Sequence, residues 1–272
     1  MFWEQEELLD IKPQTNEEEL CEKLFADTHS RDETGRYTVH LPFKRLLQGQ
    51  ELPTFTHTDY NAMKRLKQLE SSFQQKIQFA DEYRKFMLEY ETLQHMVKLG
   101  EYPHSIPHNA YFFPHHGVLR ESSTTTKLRV VFDGGNRRPP QTSINDELSA
   151  GPALQNDLST IIIRWRRHCI GFTADLEKMF RQINVCPEHQ PFQCILWRDA
   201  TGKICVYTLR TVTYDEETRF PEASQILRED TYVDDVISGT GQSTRSFTAT
   251  KSAFESIEIR RLSFKEMEFE LP

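Results

Sequence analysis

Two adjacent carboxylates, Asp234 and Asp235, are the residues of this chain best suited to chemistry. They lie within residues 231–239, a run of β-branched and aromatic residues that is typical of a strand end or a hairpin. Neighbouring residues of a strand point to opposite faces, so the two carboxylates share a target only if the backbone turns beside them. Gly239 and Gly241 would permit such a turn.

A third carboxylate, Asp175, is the best partner for this pair. It follows the apolar residues 169–174, which predict a buried strand, and it precedes residues 176–183, which predict a short helix. Mg²⁺ prefers oxygen ligands and is usually held by one or two carboxylates together with substrate phosphates. The three aspartates are compatible with a magnesium site. Taken alone, they are also compatible with a solvated turn and a helix cap.

The residues around these aspartates resemble the catalytic motifs of reverse transcriptases. Residues 232–235 resemble the Tyr-X-Asp-Asp box, and residues 172–183 resemble the first catalytic motif of the palm. Residues 114–119 and 121–133 are similar, more narrowly, to the BEL/Pao class of LTR retrotransposon polyproteins. The similarity extends over residues 2–239, and four ordered blocks are more specific than any one of them.

This resemblance implies an RNA-directed DNA polymerase that adds a dNTP to a primer 3′-hydroxyl with two Mg²⁺ ions. Asp175, Asp234 and Asp235 would be the catalytic residues and would hold both ions. The partners would be an RNA or DNA template-primer and the dNTP. The family's substrate-binding positions correspond to four residues of this chain: Lys127, Arg129, Phe180 and Tyr232.

Three of these positions have a specific implied role. Arg129, together with Lys127, would grip the incoming triphosphate, for which guanidinium geometry is well suited. Phe180 would be the aromatic gate that excludes a ribose 2′-hydroxyl. Ordinary explanations stay open, because Phe180 has the helical spacing of a core residue and Arg129 fits an exposed strand.

The resemblance also implies an α+β fold, in which reverse-transcriptase-like fingers and an incomplete palm follow a mostly helical segment. The segment before the polymerase would lie between the protease and polymerase regions of the parent polyprotein. The predicted division is a helical segment at residues 1–100, a fingers-like segment at 101–140, a partial palm at 141–241 and a divergent, poorly ordered tail at 242–272.

Apolar periodicity predicts several elements within these segments. One helix is expected around residues 63–73 and another around residues 83–97, closed by Gly100 as a cap. A helix that begins near Pro152 should carry basic residues around an apolar face. Two hairpins are predicted, one pairing 117–119 with 128–132 and the other pairing 193–198 with 204–209.

The sequence departs from the family after residues 211–214. The family continues there with a turn and a long palm helix, whereas residues 215–221 resemble family sequence beyond that helix. A deleted helix would expose core worth about 1.5–3 kcal/mol per large side chain, against a total stability of about 5–15 kcal/mol. Catalysis is therefore expected to be impaired. The alternative is a non-catalytic remnant that at most binds nucleic acid or a partner.

Three weaker motifs suggest other functions. The four histidines of residues 104–116 suggest a zinc site, but prolines interrupt them and no cysteine lies nearby. The tripeptide at residues 133–135 has Gly where aspartic proteases need Thr or Ser. A metal-dependent hydrolase using the same aspartates has no further ligand pattern to support it.

Charge and composition set the remaining expectations. The chain has 272 residues, 37% of them hydrophobic, and a net charge of −8 that argues globally against nucleic-acid binding. Residues 101–214 are nevertheless net basic, which coincides with the template-binding half. Five dispersed cysteines without a Cys-x-x-Cys pair predict reduced thiols. With no signal-peptide pattern and no membrane-spanning run, a cytoplasmic location or a retrotransposon particle is expected.

Overall fold

A computed structural model describes most of the chain, and all structural statements here concern these residues. They are 14–33, 36–119, 128–137, 141–152, 157–168, 170–176, 183–210, 213–214, 231–232, 235–240 and 262–268. Within these ranges no helix is long and apolar enough to cross a membrane.

Helices dominate the first hundred residues, and strands dominate the rest. The α-helices are α1 Asn16–Thr28, α2 Lys44–Leu47, α3 Thr58–Gln75, α4 Ile77–Thr92, α5 Ile144–Glu147 and α6 Leu158–Trp165, with a 3-10 helix at Pro187–Gln193. The strands are β1 Ser30–Arg31, β2 Arg36–Val39, β3 Met96–Glu101, β4 His115–Leu119, β5 Leu128–Phe132, β6 Ile170–Leu176, β7 Asn184–Val185, β8 Cys194–Arg198, β9 Ile204–Leu209, β10 Thr213–Tyr214, β11 Thr231–Tyr232, β12 Asp235–Thr240 and β13 Leu262–Glu268. The predicted α+β class is confirmed.

The strands form four small sheets. Their orders are β1-β2-β10 with β7 beside β2, β11-β12-β6-β13, β3-β9-β8, and β4-β5. Both predicted hairpins are present, because β4 pairs antiparallel with β5 and β8 pairs antiparallel with β9. The first hairpin begins at His115, two residues earlier than predicted, and His115 pairs with Phe132.

One hydrophobic core joins segments that the sequence analysis treated separately. It includes Tyr83 and Met87 from α4, Tyr111 from the following loop, and Tyr207 from β9, all at most 1% exposed. Burying each such side chain stabilises the fold by about 1.5–3 kcal/mol. The boundary at residue 100 divides the sequence but does not divide this core. The assignment of fingers and palm remains a prediction.

Three local predictions differ from the structure. The helix expected over 83–97 ends at Thr92, and Met96 begins β3, which pairs with β9. Gly100 therefore lies in a strand beside a register shift and does not cap a helix. In the segment expected to be poorly ordered, residues 262–268 form β13, which pairs with β6.

The cysteine prediction is confirmed where the structure describes it. Four thiols are free and buried, and the fifth, Cys169, lies outside the described residues; the four are Cys21, Cys186, Cys194 and Cys205. Burial is the largest cause that raises the pKa of Cys194, to about 12, which keeps this thiol protonated and unreactive.

Candidate functional site

The hairpin formed by β11 and β12 contains the predicted Tyr-X-Asp-Asp box. Thr231 pairs with Val236 and Tyr232 pairs with Asp235 across this hairpin. The two intervening residues, Val233 and the predicted metal ligand Asp234, lie outside the described residues. Gly239, where a turn was expected, lies inside β12 and pairs with Gly171.

The neighbouring strand β6 brings Asp175 to the same row of the sheet. β12 pairs antiparallel with β6, and the register sets Asp235 directly opposite Asp175. Directly opposite residues of an antiparallel pair share a face, with Cβ atoms about 4.5–5.5 Å apart. Tyr232, Asp235 and Asp175 thus form one cross-strand row near the end of the sheet. Asp175 is the penultimate residue of β6, since Leu176, expected in a helix, is still in the strand.

This row has the donor chemistry that a magnesium ion needs. Asp175 and Asp235 occupy directly paired positions on adjacent strands, and carboxylate oxygens are the hard ligands that commonly hold Mg²⁺ beside a phosphate. The residues present therefore fit the ion that the sequence analysis expected. Its coordination by these carboxylates stays a prediction.

Helix α6 packs on the strands of this sheet that carry the box. It lies against β11 and β12, and Ile161 is fully buried in it. α6 begins at Leu158, six residues after Pro152, where the helix was predicted to begin. Of the predicted basic residues, Arg164 lies in its last turn, and Arg166 and Arg167 follow its end. Positive charge at a helix C-terminus is favourable because the unpaired carbonyl groups carry partial negative charge.

The remaining predicted substrate residues have different outcomes. Arg129 lies in β5, opposite Val118 of β4, and its side chain is exposed. Lys127 and Phe180 lie outside the described residues. The structure therefore brings together Asp175, Asp235 and Tyr232 in register, and it gives Arg129 no described contact with them.

A polar cleft that the sequence analysis missed lies between α3 and the β4–β5 hairpin. Its volume is about 390 Å³, and its lining is Asn61, Lys64, Arg65, Gln68, Pro114, His116, Asp133 and Asn136. Four of these residues form one stripe of α3 at spacings of three and four, opposite the buried stripe of Ala62, Leu66, Leu69 and Phe73. That polar stripe was visible in the sequence as the counterpart of the predicted packing face.

The floor of the cleft is held by hydrogen bonds and close packing. Asp133 accepts a hydrogen bond from the Gly135 amide at 3.0 Å, which closes a turn after β5. A Cβ at Gly134 would meet Asn145 Oδ1 at 2.5 Å, so a larger residue here would require the Asn145 side chain to shift. The Asp-Gly-Gly tripeptide therefore forms this turn, and its Asp carboxylate is hydrogen-bonded to a backbone amide.

The four neighbouring histidines do not form a metal site in the described structure. His115 is buried and bonded to Tyr83 and Leu196, and His116 lines the cleft. His104 and His108 are exposed loop residues.

Comparisons with known proteins give a likeness to solved structures. No protein-family model matches the chain, and no curated protein matches it. Among solved structures, the chain is similar to the native crystal structure of the prototype foamy virus protease-reverse transcriptase, with a TM-score of 0.40 and 16% identity. The likeness covers 63% of this chain and 21% of that chain. At this level it establishes neither the family nor the function.

Proposed function

We propose that this chain is the reverse-transcriptase domain of a Pao-like retrotransposon polyprotein, an RNA-directed DNA polymerase impaired by loss of a palm helix. The supporting observation is the cross-strand row in which Asp235 lies opposite Asp175 and beside Tyr232. The motifs around both aspartates, which resemble those of reverse transcriptases, support a polymerase site at this row.

In this proposal the chain's own residues hold the substrates. Asp175, Asp234 and Asp235 would bind two Mg²⁺ ions, which supply activation of the primer 3′-hydroxyl and neutralise charge on the leaving pyrophosphate. Arg129 and Lys127 would orient the triphosphate, and Phe180 would exclude a 2′-hydroxyl. The template-primer would cross the basic part of the chain.

The decisive experiment is Mg²⁺-dependent dNTP incorporation on a primed RNA template. Asp175→Asn and Asp235→Asn should each reduce incorporation by more than the roughly 10–100-fold that loss of an outer-shell partner costs, because each removes a ligand. Asp27→Asn, an exposed change in α1, is the matched control and should leave the rate unchanged. Incorporation that survives both ligand substitutions would remove the proposed site.

A non-catalytic remnant that binds nucleic acid is the second candidate. The cleft with Lys64 and Arg65 favours it, because this cleft supplies cations without needing an intact palm. The two candidates separate when a family palm helix is inserted between Tyr214 and Asp215. Incorporation in both chains indicates a working polymerase, incorporation only in the restored chain indicates an inactivated one, and template binding without incorporation in either indicates a binding remnant.

A further inference from the structure

Two parallel strand ends meet on the side of the fold formed by β2 and β7. β2 pairs parallel with β7, with Thr38 opposite Asn184 and Val39 opposite Val185. The next residues along the two strands are His40 and Cys186, and the Cys186 amide donates to the Val39 carbonyl at 2.9 Å. Residues that leave parallel strands at the same edge emerge side by side. His40 and Cys186 are therefore neighbours by topology.

A third ligand-type side chain comes from the 3-10 helix that follows β7. Glu188 lies in its first turn, two residues after Cys186. One ring nitrogen of His40, the sulfur of Cys186 and a carboxylate oxygen of Glu188 all lie within 4.8 Å of one another. Cys186 is buried, His40 is half-buried and Glu188 is exposed. The two less exposed ligand-type side chains of the cluster are therefore held in place, whereas the exposed Glu188 side chain can change its conformation.

The imidazole of His40 has an unused buried nitrogen. His40 Nδ1 is inaccessible to solvent and makes no hydrogen bond to any described residue. A buried polar atom without a partner costs about 1–3 kcal/mol, so such atoms need an explanation. The adjacent His189 is not among the side chains whose ligand atoms lie within this distance, and its Nδ1 accepts a hydrogen bond from the Leu41 amide at 2.9 Å.

We propose that His40, Cys186 and Glu188 bind a divalent transition-metal ion, with Zn²⁺ as the ion that the donor set fits best. Nitrogen, thiolate and carboxylate donors are the ligands of protein zinc sites, and three of them leave one position for water. Ideal zinc bond lengths set neighbouring ligand atoms about 3.5 Å apart, a contraction that the exposed Glu188 arm can supply. This site differs in chemistry from the all-carboxylate row at Asp175 and Asp235.

Metal binding would cross-link the end of β2 to the start of the 3-10 helix. Of these three side chains, Cys186 is a free thiol and His40 has the buried ring nitrogen that lacks a hydrogen-bond partner. The metal would replace the thiol proton and recruit that nitrogen. Since metal binds the folded chain preferentially, Zn²⁺ should raise the unfolding midpoint in proportion to its affinity.

The test is metal binding by the full chain, read with Co²⁺ absorption and Zn²⁺ competition against a chelating indicator. The wild type should bind one Co²⁺ with a thiolate-to-metal charge-transfer band, and Zn²⁺ should displace it. His40→Ala and Cys186→Ala should each weaken Zn²⁺ binding at least tenfold, and Glu188→Gln, on an exposed side chain, should do so with little effect on folding. Cys21→Ala and His104→Ala are matched controls and should bind as the wild type does.

Two results would overturn the proposal. The first is a wild-type chain whose Co²⁺ complex lacks a thiolate band, a measurement that needs no variant to fold. The second is unchanged Zn²⁺ affinity in Glu188→Gln together with His40→Ala, which would assign the bound metal to other histidines and cysteines. Neither result depends on polymerase activity, so this site and the proposed function fail separately.

Discussion

His115 shows how one residue's surroundings set its chemistry. Its ring is only 3% exposed, Nε2 lies 3.0 Å from the Leu196 carbonyl and Nδ1 lies 2.6 Å from the Tyr83 hydroxyl. A carbonyl only accepts, so Nε2 carries the proton and Nδ1 accepts from Tyr83. Burial lowers the pKa of His115 to about 4, well below its ordinary value. The neutral ring is therefore the form that the fold accommodates.

We expect His115 to make the folded state sensitive to acid. An unfolded histidine titrates near 6.5, so between pH 6.5 and 4 the unfolded chain binds more protons than the folded one. Stability from this group is fully present above about pH 6.5 and falls by about 3 kcal/mol as pH drops through 4. The measurement is the urea midpoint of unfolding at a series of pH values.

His115→Gln should reduce this pH dependence, because Gln does not titrate. A part should stay, because burial also lowers the pKa of His189 to about 4. His104→Gln changes an exposed histidine and should retain the wild-type profile. If His115→Gln and the wild type lose stability in parallel between pH 6.5 and 4, the imidazole is not the group responsible.

The identities of the site residues could be predicted from motifs, but which of them lie next to each other in the fold could not. Asp175 and Asp235 were paired in the sequence analysis by resemblance, and their register comes from backbone pairing between strands. The proximity of His40 and Cys186 could not be predicted, because no local sequence pattern indicates that β2 and β7 are parallel neighbours. Spacing within an element is visible in sequence, whereas contact between distant elements depends on topology.

At the scale of elements, β3 shows where periodicity fails. Met96 and Val97 continue the helical spacing of α4, yet they pair with Leu209 and Thr208 of β9. The chain leaves the helix at Gln94, whose φ of 57° lies in the left-handed region. Strand pairing with a buried partner outweighs a marginal helical preference, because propensity differences per residue are below about 1 kcal/mol.

Gly100 is predicted to be indispensable to this strand. Its φ is 151°, which side chains rarely adopt, and an added Cβ would overlap the Ser105 side chain. Gly100→Ala should therefore lower the free energy of unfolding by about 2–4 kcal/mol, combining backbone strain with overpacking. Equilibrium urea unfolding measures this loss.

Gly202→Ala is the matched control for backbone strain alone. Gly202 also has a positive φ, 85°, but a Cβ there meets nothing within 4 Å, so its cost should be about 1 kcal/mol. Adding Ser105→Gly to Gly100→Ala should recover the difference. Equal losses in the two alanine variants would mean that the Ser105 overlap is relieved without cost.

The whole molecule combines an acidic net charge with locally basic surfaces. The net charge of −8 opposes phosphate binding, but the cleft presents Lys64 and Arg65 from one helix face. Composition predicted the basic bias of residues 101–214 and missed this pair, because α3 lies in a segment interpreted only as packing. If the chain binds nucleic acid as proposed, its affinity should therefore depend on few cations and show a correspondingly shallow dependence on salt.

Lys64→Gln/Arg65→Gln should weaken binding of a primed RNA template and make it less sensitive to salt. Each phosphate contact adds about one unit to the slope of log affinity against log salt, so losing two contacts should reduce that slope by about 2. Fluorescence anisotropy across a KCl series measures both quantities. Lys67→Gln/Lys85→Gln removes the same charge from exposed positions that do not line the cleft. If this control lowers the slope equally, overall charge governs binding and the cleft has no special part in it.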